Sequence, residues 1–344
     1  KKALNAYIQW VKNTFQEQKD NKALLINGEM SFDISLADIS FAFALDLEIH
    51  ISPDPQNMIF HAKMIKEHNI DTFYGVPSTV NKLFGWVKTR TDVDFNHLKI
   101  VFSGGDVVTF DLIELVREVA PNAIYYNMYG PTEMTMNCLY TRIDNIDIAT
   151  HDHENVPTGC LLSHLDAKLI DPESETNQVI DDIGELVVAG DQCMEGYLND
   201  PEKTENAFIT MNDRSYYRTG DLFHKDPKGV YYILGRVDSI VKVRGYRINT
   251  LTITNIITEE PFVIEACTIA LDMDQIEKEI VTFVVINNQF ETFETTLLEK
   301  CKALLPHYMI PSKLYKIDKF PYGKTGKHDL NALKDLALKL SNRF

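Results

Sequence analysis

The chain has 344 residues, 44% hydrophobic and 24% charged, an ordinary globular balance at a length that allows more than one domain. With 50 acidic against 34 basic residues the net charge is −16 at pH 7, which makes nucleic acid a poor default partner but leaves room for a small anionic ligand at a locally basic site. Five cysteines without a CxxC pair argue against a disulfide framework and for buried, reduced thiols in a cytoplasmic protein, and no apolar run is long enough to span a membrane.

The first fifteen residues, KKALNAYIQWVKNTF, are too polar for a signal peptide. They predict an amphipathic helix with Leu4, Ile8, Trp10, Val11 and Phe15 as its apolar members. From about 59 to 130 helices and strands alternate. IFHAKMIKEHNI predicts a helix and TFYGV a strand. STVNKLFGWVKT predicts a helix, LKIVFSGGD a strand ending in glycines, TFDLIELVREVA a helix, and AIYYNMYG a strand. That order predicts a largely parallel sheet with helices on its faces. Ligands of such sheets bind beyond the carboxyl ends of the strands, where SGGD at 103–106 and YGPTE at 129–133 fall. The middle is β-rich, with LDAKLID, GELVVAG, GVYYILGR and IVKVRGYRI separated by turn residues. The end predicts a small α+β unit: strands ACTIALDM and EIVTFVVI, helix TFETTLLEKCKALL, strand KLYKID, helix LNALKDLALKL. The fold class expected is therefore α/β. Mixed sheets with flanking helices and a β-rich segment lead to a small α+β C-terminal domain joined by a hinge. The domain boundary is expected near 235–238.

Five stretches carry groups that chemistry could use. YGPTE presents Thr132 and Glu133 from a turn built on Gly130 and Pro131. A hydroxyl can bond a phosphate oxygen, and a carboxylate can hold Mg²⁺; the same composition also makes plain turns. GELVVAGDQCMEGYLND occupies 184–200. YYRTGDL, 216–222, places Asp221 where a carboxylate could accept two ribose hydroxyls, or where a turn simply follows a strand. GRVDSIVKVRGYRI, 235–248, brings basic residues that suit either a solvated strand edge or a nucleotide. FPYGKTGKHDL, 320–330, is a lysine-bearing turn and not a Walker A loop, since neither Ser nor Thr follows Lys327. His151 and His153 flank an Asp, but without a further ligand cluster they read as a polar loop.

In this order, and together with FDIS at 32–35, the motifs resemble the adenylate-forming superfamily. They are most similar to amino-acid adenylation domains of nonribosomal peptide synthetases and to D-alanine–carrier protein ligase-like enzymes, from Phe32 to the C-terminus. Such enzymes activate an acid with ATP and Mg²⁺ as an acyl-adenylate and then transfer it to the phosphopantetheine thiol of a carrier protein. The resemblance implies the C-terminal portion of a large AMP-binding core over 1–236 and a small mobile subdomain over 237–344 that turns about Asp238. It implies Glu133 as metal ligand and Thr132 as phosphate contact. Gly105 at the end of SGGD and Tyr129 would lie by the nucleotide, Asp221 on the ribose, Arg236 beside it, and Gly245 on the thiolation face. Lys327 would reach the carboxylate and α-phosphate, offsetting the negative charge that gathers as one attacks the other. Asp33 would pair with a substrate ammonium, its alternative being a helix cap or turn. Ile34, Ala37, Tyr74, Val101, Ser103, Met128, Met136 and Asn137 would complete the pocket, whose bulky members favour a small or medium side chain.

Two departures stand out. The family's Gly- and Ser/Thr-rich phosphate loop normally precedes FD.S, and nothing in the 31 residues before Phe32 resembles it. These 344 residues alone are therefore expected to be poorly soluble and unable to complete adenylation. After RGYRI, Asn249, Leu251, Thr252 and Thr254 stand where glutamates and a glycine are usual, so a carrier protein would meet a different surface. An acyl- or aryl-CoA ligase and a non-catalytic nucleotide-binding module remain as other classes.

Overall fold

A computed structural model describes residues 1–16, 20–55, 57–148, 155–174, 176–237, 240–243, 246–272, 278–287, 292–322 and 328–341. The chain divides into two compact units, Lys1–Leu234 and Gly235–Phe344.

The first unit opens with α1 (Lys2–Thr14), β1 (Ala23–Ile26), α2 (Asp33–Leu45), β2 (Glu48–Ile51) and α3 (Met58–Glu67). It continues with β3 (Thr72–Gly75), α4 (Pro77–Lys88), β4 (Ile100–Gly104), α5 (Phe110–Val119), β5 (Ile124–Tyr129), β6 (Leu139–Arg142) and β7 (Cys160–Leu161). Local chemistry fixes several starts. Asn57 and Thr109 cap α3 and α5 by accepting the N–H of Phe60 and Leu112. Pro77 opens α4, where its missing N–H costs nothing. The seven strands form one sheet in the order β2-β1-β3-β4-β5-β6-β7. It is parallel from β2 to β5 and antiparallel at β6 and β7.

Helices cover both faces of this sheet, and strand alternation sorts the core into two layers. Tyr7 and Trp10 of α1, Phe41 of α2, and Ile100, Phe102 and Met128 of the sheet pack on one face. Ile65, Leu83 and Ile113 of α3, α4 and α5 pack with Val101 and Tyr125 on the other. Phe15, Phe41, Phe102 and Tyr126 make an aromatic cluster on the first face, with Phe41 and Phe102 centroids 4.5 Å apart. Helix α2 is apolar on all sides, and Phe32 just before it and Phe43 within it stand 59% and 77% exposed.

Next come β8 (Asp166–Ile170), β9 (Val179–Ile180), β10 (Ile183–Ala189), α6 (Pro201–Ala207), β11 (Phe208–Met211), β12 (Arg214–Lys225) and β13 (Tyr231–Arg236). They build a second sheet, β11-β12-β10-β8-β9, with β13 beside β12. Leu169, Leu186, Val188, Tyr217 and Phe223 of this sheet join the α1–α2 core layer. The second unit holds the hairpin β14 (Ile240–Val243) and β15 (Tyr246–Asn249), α7 (Thr250–Thr258), β16 (Val263–Asp272), β17 (Lys278–Ile286), α8 (Phe293–Leu304), β18 (Lys313–Lys316) and α9 (Leu330–Ser341). Its three-stranded sheet is β16-β17-β18. Despite its threonines, α7 forms, capped by the Asn249 side chain on the Leu251 N–H at 3.0 Å.

All five cysteines are free. Cys138, Cys267 and Cys301 are buried as expected, but Cys160 is exposed, because it sits on the short edge strand β7. Among the described residues no helix is long and apolar enough to cross a membrane.

Candidate active site at the strand ends of the first unit

Strands β4 and β5 run parallel, with Gly104 in register with Met128, so SGGD and YGPTE leave the sheet side by side. Gly105 follows β4 with φ +86°. The YGPTE turn closes tightly: a Cβ on Gly130 would lie 2.1 Å from the Met136 carbonyl oxygen. A side chain there would push the turn off the sheet, which explains why an apolar strand ends in this composition. Past it, 132–134 form one turn of 3₁₀ helix.

Three carboxylates gather hydroxyl partners here. Asp33 is the first residue of α2, with Phe32 as N-cap and no side-chain cap bond. Ser35 binds back to the Phe32 carbonyl at 2.7 Å. Asp33 itself makes no cap bond, and its Oδ2 accepts the Thr132 hydroxyl at 2.6 Å across 99 residues of sequence. Glu133 accepts the Tyr197 phenol at 2.6 Å, and its carbonyl accepts the Met194 N–H at 2.7 Å. The GYL part of 184–200 thus reaches the YGPTE turn. Burial, with the Glu133 carboxylate next, raises the phenol of Tyr217.

Asp221 accepts the Tyr129 phenol at 2.5 Å. Burial and then the Asp221 carboxylate hold that phenol well above its ordinary range. Asp221 does not follow a strand; it lies inside β12, at a bulge. Glu185 pairs with Leu222 and Val187 with Arg218, which leaves 219–221 opposite Leu186 alone. Gly220 takes φ +69° there, a conformation only glycine adopts freely.

The substrate residues do not all meet. Ala37, Tyr74, Met128 and Met136 pack in one layer, with Ile34 against it. Asn137 joins them by bonds: it accepts the Tyr74 phenol at 3.0 Å and donates to the Tyr7 oxygen at 2.7 Å. Val101 instead packs in the opposite layer, and Ser103, two residues on, bonds the Gly75 carbonyl at 3.1 Å. Strand side chains alternate, so a one-residue step changes the face. Phe102 is in register with Tyr74 and Gly104 with Met128, and with Ile100 these are the β4 residues on that face. Asp38 of α2 was also missed. It is 1% exposed, its Oδ1 has no hydrogen-bond partner, and burial raises its carboxyl well above the ordinary value. Tyr7, Tyr197, Glu185 and Arg218 were likewise unforeseen as contributors; each works through a contact more than thirty residues away in sequence.

Arg236 lies at the end of β13 in the second unit. Lys327, Asp238, Gly245, His151 and His153 lie outside the described residues. Among the described residues no group of three or more His, Cys, Asp or Glu could hold a metal ion.

The AMP-binding enzyme family matches residues 1–198. Bacitracin synthase 2 of Bacillus licheniformis is 34% identical over 68% of this chain, which is 9% of that protein. Gramicidin S synthase 2 of Brevibacillus brevis is 27% identical over 95% of this chain and 7% of its own length. The chain thus spans less than a tenth of the length of these curated relatives. Among solved structures, ATP-bound MatB from Rhodopseudomonas palustris superposes with a TM-score of 0.79 at 21% identity, covering 97% of this chain and 64% of that one. O-succinylbenzoate Coenzyme A synthetase from Bacillus subtilis, in complex with ATP and a magnesium ion, gives 0.80 at 20% identity, covering 96% and 66%. At these identities the solved structures speak for the fold alone: α/β, with mixed sheets and flanking helices.

Proposed function

The chain belongs to the AMP-binding enzyme family, and on that premise we propose that it serves an ATP-dependent ligase that activates an amino acid as its aminoacyl-adenylate and passes it to the phosphopantetheine thiol of a carrier protein. The observation that carries the amino-acid reading is the bond between Asp33 and Thr132. It sets a carboxylate with no capping duty beside the turn proposed to meet the phosphate. A substrate ammonium taken out of water needs such a partner, because an unpaired buried charge is costly.

The other groups take complementary roles. The Asp221 carboxylate accepts the two ribose hydroxyls, and the Tyr129 ring lies against adenine. Met128, Met136 and Tyr74 bound the side-chain pocket. For Mg²⁺ the donor chemistry fits: Glu133 and Thr132 offer hard oxygens to an ion that usually takes one or two carboxylates plus substrate phosphates. Once bound, the ion would neutralise phosphate charge. Residues 1–236 supply the C-terminal portion of the nucleotide-binding core and 237–344 a subdomain that turns about Asp238. It brings Lys327 to the α-phosphate for adenylation, with Arg236 near the ribose.

Non-hydrolysable acyl-sulfamoyl adenosines test this on the 344-residue chain, because they carry acid and nucleoside without needing the outer phosphates. Calorimetry should show an aminoacyl analogue binding more tightly than its desamino counterpart, with the preference gone in Asp33→Ala. Equal or tighter binding of desamino, aryl or fatty analogues would replace the amino-acid reading with an acyl-CoA ligase. Binding of AMP with no gain from any acyl group would leave a nucleotide-binding module.

A further inference from the structure

The GEL and YRTG segments meet at the β10–β12 bulge in a way that their separate positions in the sequence do not announce. Glu185 is 2% exposed, and both its oxygens face Arg218. The guanidinium donates to them at 2.5, 3.1 and 3.2 Å. The same carboxylate accepts the Gly220 N–H at 3.1 Å. Thr219 ties the next position: its hydroxyl donates to the Leu186 carbonyl at 2.7 Å and accepts the Asp221 N–H at 3.1 Å. The three bulged residues are thus held by the side chain of Glu185 and the backbone of Leu186, and Asp221 is the last of them. Its carboxylate arrives at the Tyr129 phenol.

We infer that the ion pair of Glu185 and Arg218 is the positioning device of this site: it holds the β12 bulge in the one geometry that aims Asp221 at Tyr129 and outward to a ligand. A bulge adds residues and re-aims side chains, but by itself leaves the ladder locally open. A buried carboxylate satisfied by both a fork of guanidinium N–H groups and a backbone N–H closes it again, and fixes the peptide on which Asp221 hangs. Neither residue needs to touch a nucleotide. Any value to ligand binding rests on the reading of Asp221 as the ribose carboxylate, whereas the aiming of Asp221 does not.

The experiment therefore reads the two separately, on the 344-residue chain. Aiming is followed by the NMR resonance of the Tyr129 hydroxyl proton, assigned by its loss in Tyr129→Phe. Ligand binding is followed by AMP calorimetry. Glu185→Gln should lose the resonance and weaken AMP about tenfold. Arg214→Met, which removes an exposed ion pair between Arg214 of β12 and Asp166 of β8, should keep both. If Glu185→Gln does not fold, Arg218→Lys takes its place, since it keeps a cation but not the fork. A variant that keeps the resonance overturns the inference, whatever happens to AMP. Loss of the resonance with AMP affinity unchanged, or with no AMP bound by any form, upholds the positioning role and rejects the ribose reading.

Discussion

Two polar clusters lie on the same side of the large sheet, and they treat similar groups in opposite ways. At the strand ends, Asp33, Glu133 and Asp221 are only partly buried, and each accepts a hydroxyl from Thr132, Tyr197 or Tyr129. Between α1, α2 and the sheet, Tyr7, Asn137 and Tyr74 form a closed chain of bonds, and Asp38 is buried with one oxygen unmet. Desolvation favours the neutral form of a buried carboxyl, and Asp38 follows it. The first cluster keeps its carboxylates partly open to solvent, as the proposed ligand site requires. The second is a buried, neutral network, from which Tyr74 is proposed to bound the side-chain pocket, and the raised phenols of Tyr7 and Tyr74, with burial as the leading cause, belong to the same trend.

The contrast breaks most visibly at Asp221. Two charge-assisted bonds to a ribose, each worth about 1.5–3 kcal/mol, predict that Asp221→Ala weakens AMP roughly a hundredfold or more, with the circular dichroism spectrum kept and a stability loss of about 1–3 kcal/mol from the Tyr129 phenol left without this acceptor. Unchanged affinity by calorimetry would take Asp221 out of the ligand site.

Asp38 sharpens the other side. Its native carboxyl is raised above the unfolded value near 3.8, so between those two values the folded chain holds a proton that the unfolded chain has released. Its contribution to stability is full below the unfolded value and is lost as pH rises through the native one. Relative to Asp38→Asn, the chain should therefore gain about 1.4 kcal/mol per pH unit on acidification within that window. Parallel denaturation curves at several pH values measure it, and a pH-independent difference would mean Asp38 is charged in the fold.

Tyr74→Phe removes one bond of the buried chain and leaves the Asn137 oxygen unmet. A loss of about 1–2 kcal/mol in urea denaturation is expected, with nucleotide affinity kept; a matching loss in AMP binding would join the two clusters into one site. Least of all should Lys88→Ala matter. Its ion pair with Glu118 is exposed on both sides, so a change under about 0.5 kcal/mol is expected, and a larger one would show that surface pairs carry this fold.

Much of this architecture is legible in the sequence. The periodicities between 59 and 130 give helices and strands at nearly their observed positions, because each element buries one face and the pattern repeats locally. YGPTE and SGGD fall at adjacent strand ends because parallel order alone puts them there. The ordered motifs also carry family membership. Short strands β1 and β2 left no comparable trace: each has four residues, ALLI has no alternation and that of EIHI is too short to read.

What only the tertiary structure decided concerns facing and distance. Val101 and Ser103 against Phe102 and Gly104 is a choice of strand face, and a run of apolar residues buried on both sides carries no mark of it. The bulge at 219–221 depends on pairing with β10, so TGD reads locally as a turn. The partners of Asp33, Glu133 and Asp221 come from 99, 64 and 92 residues away. The sequence determined which groups this protein owns, since propensity and pattern act over a few residues. Which of them meet was decided by the folding of two sheets against one another, since a hydrogen bond depends on a few ångströms that no spacing along the chain records.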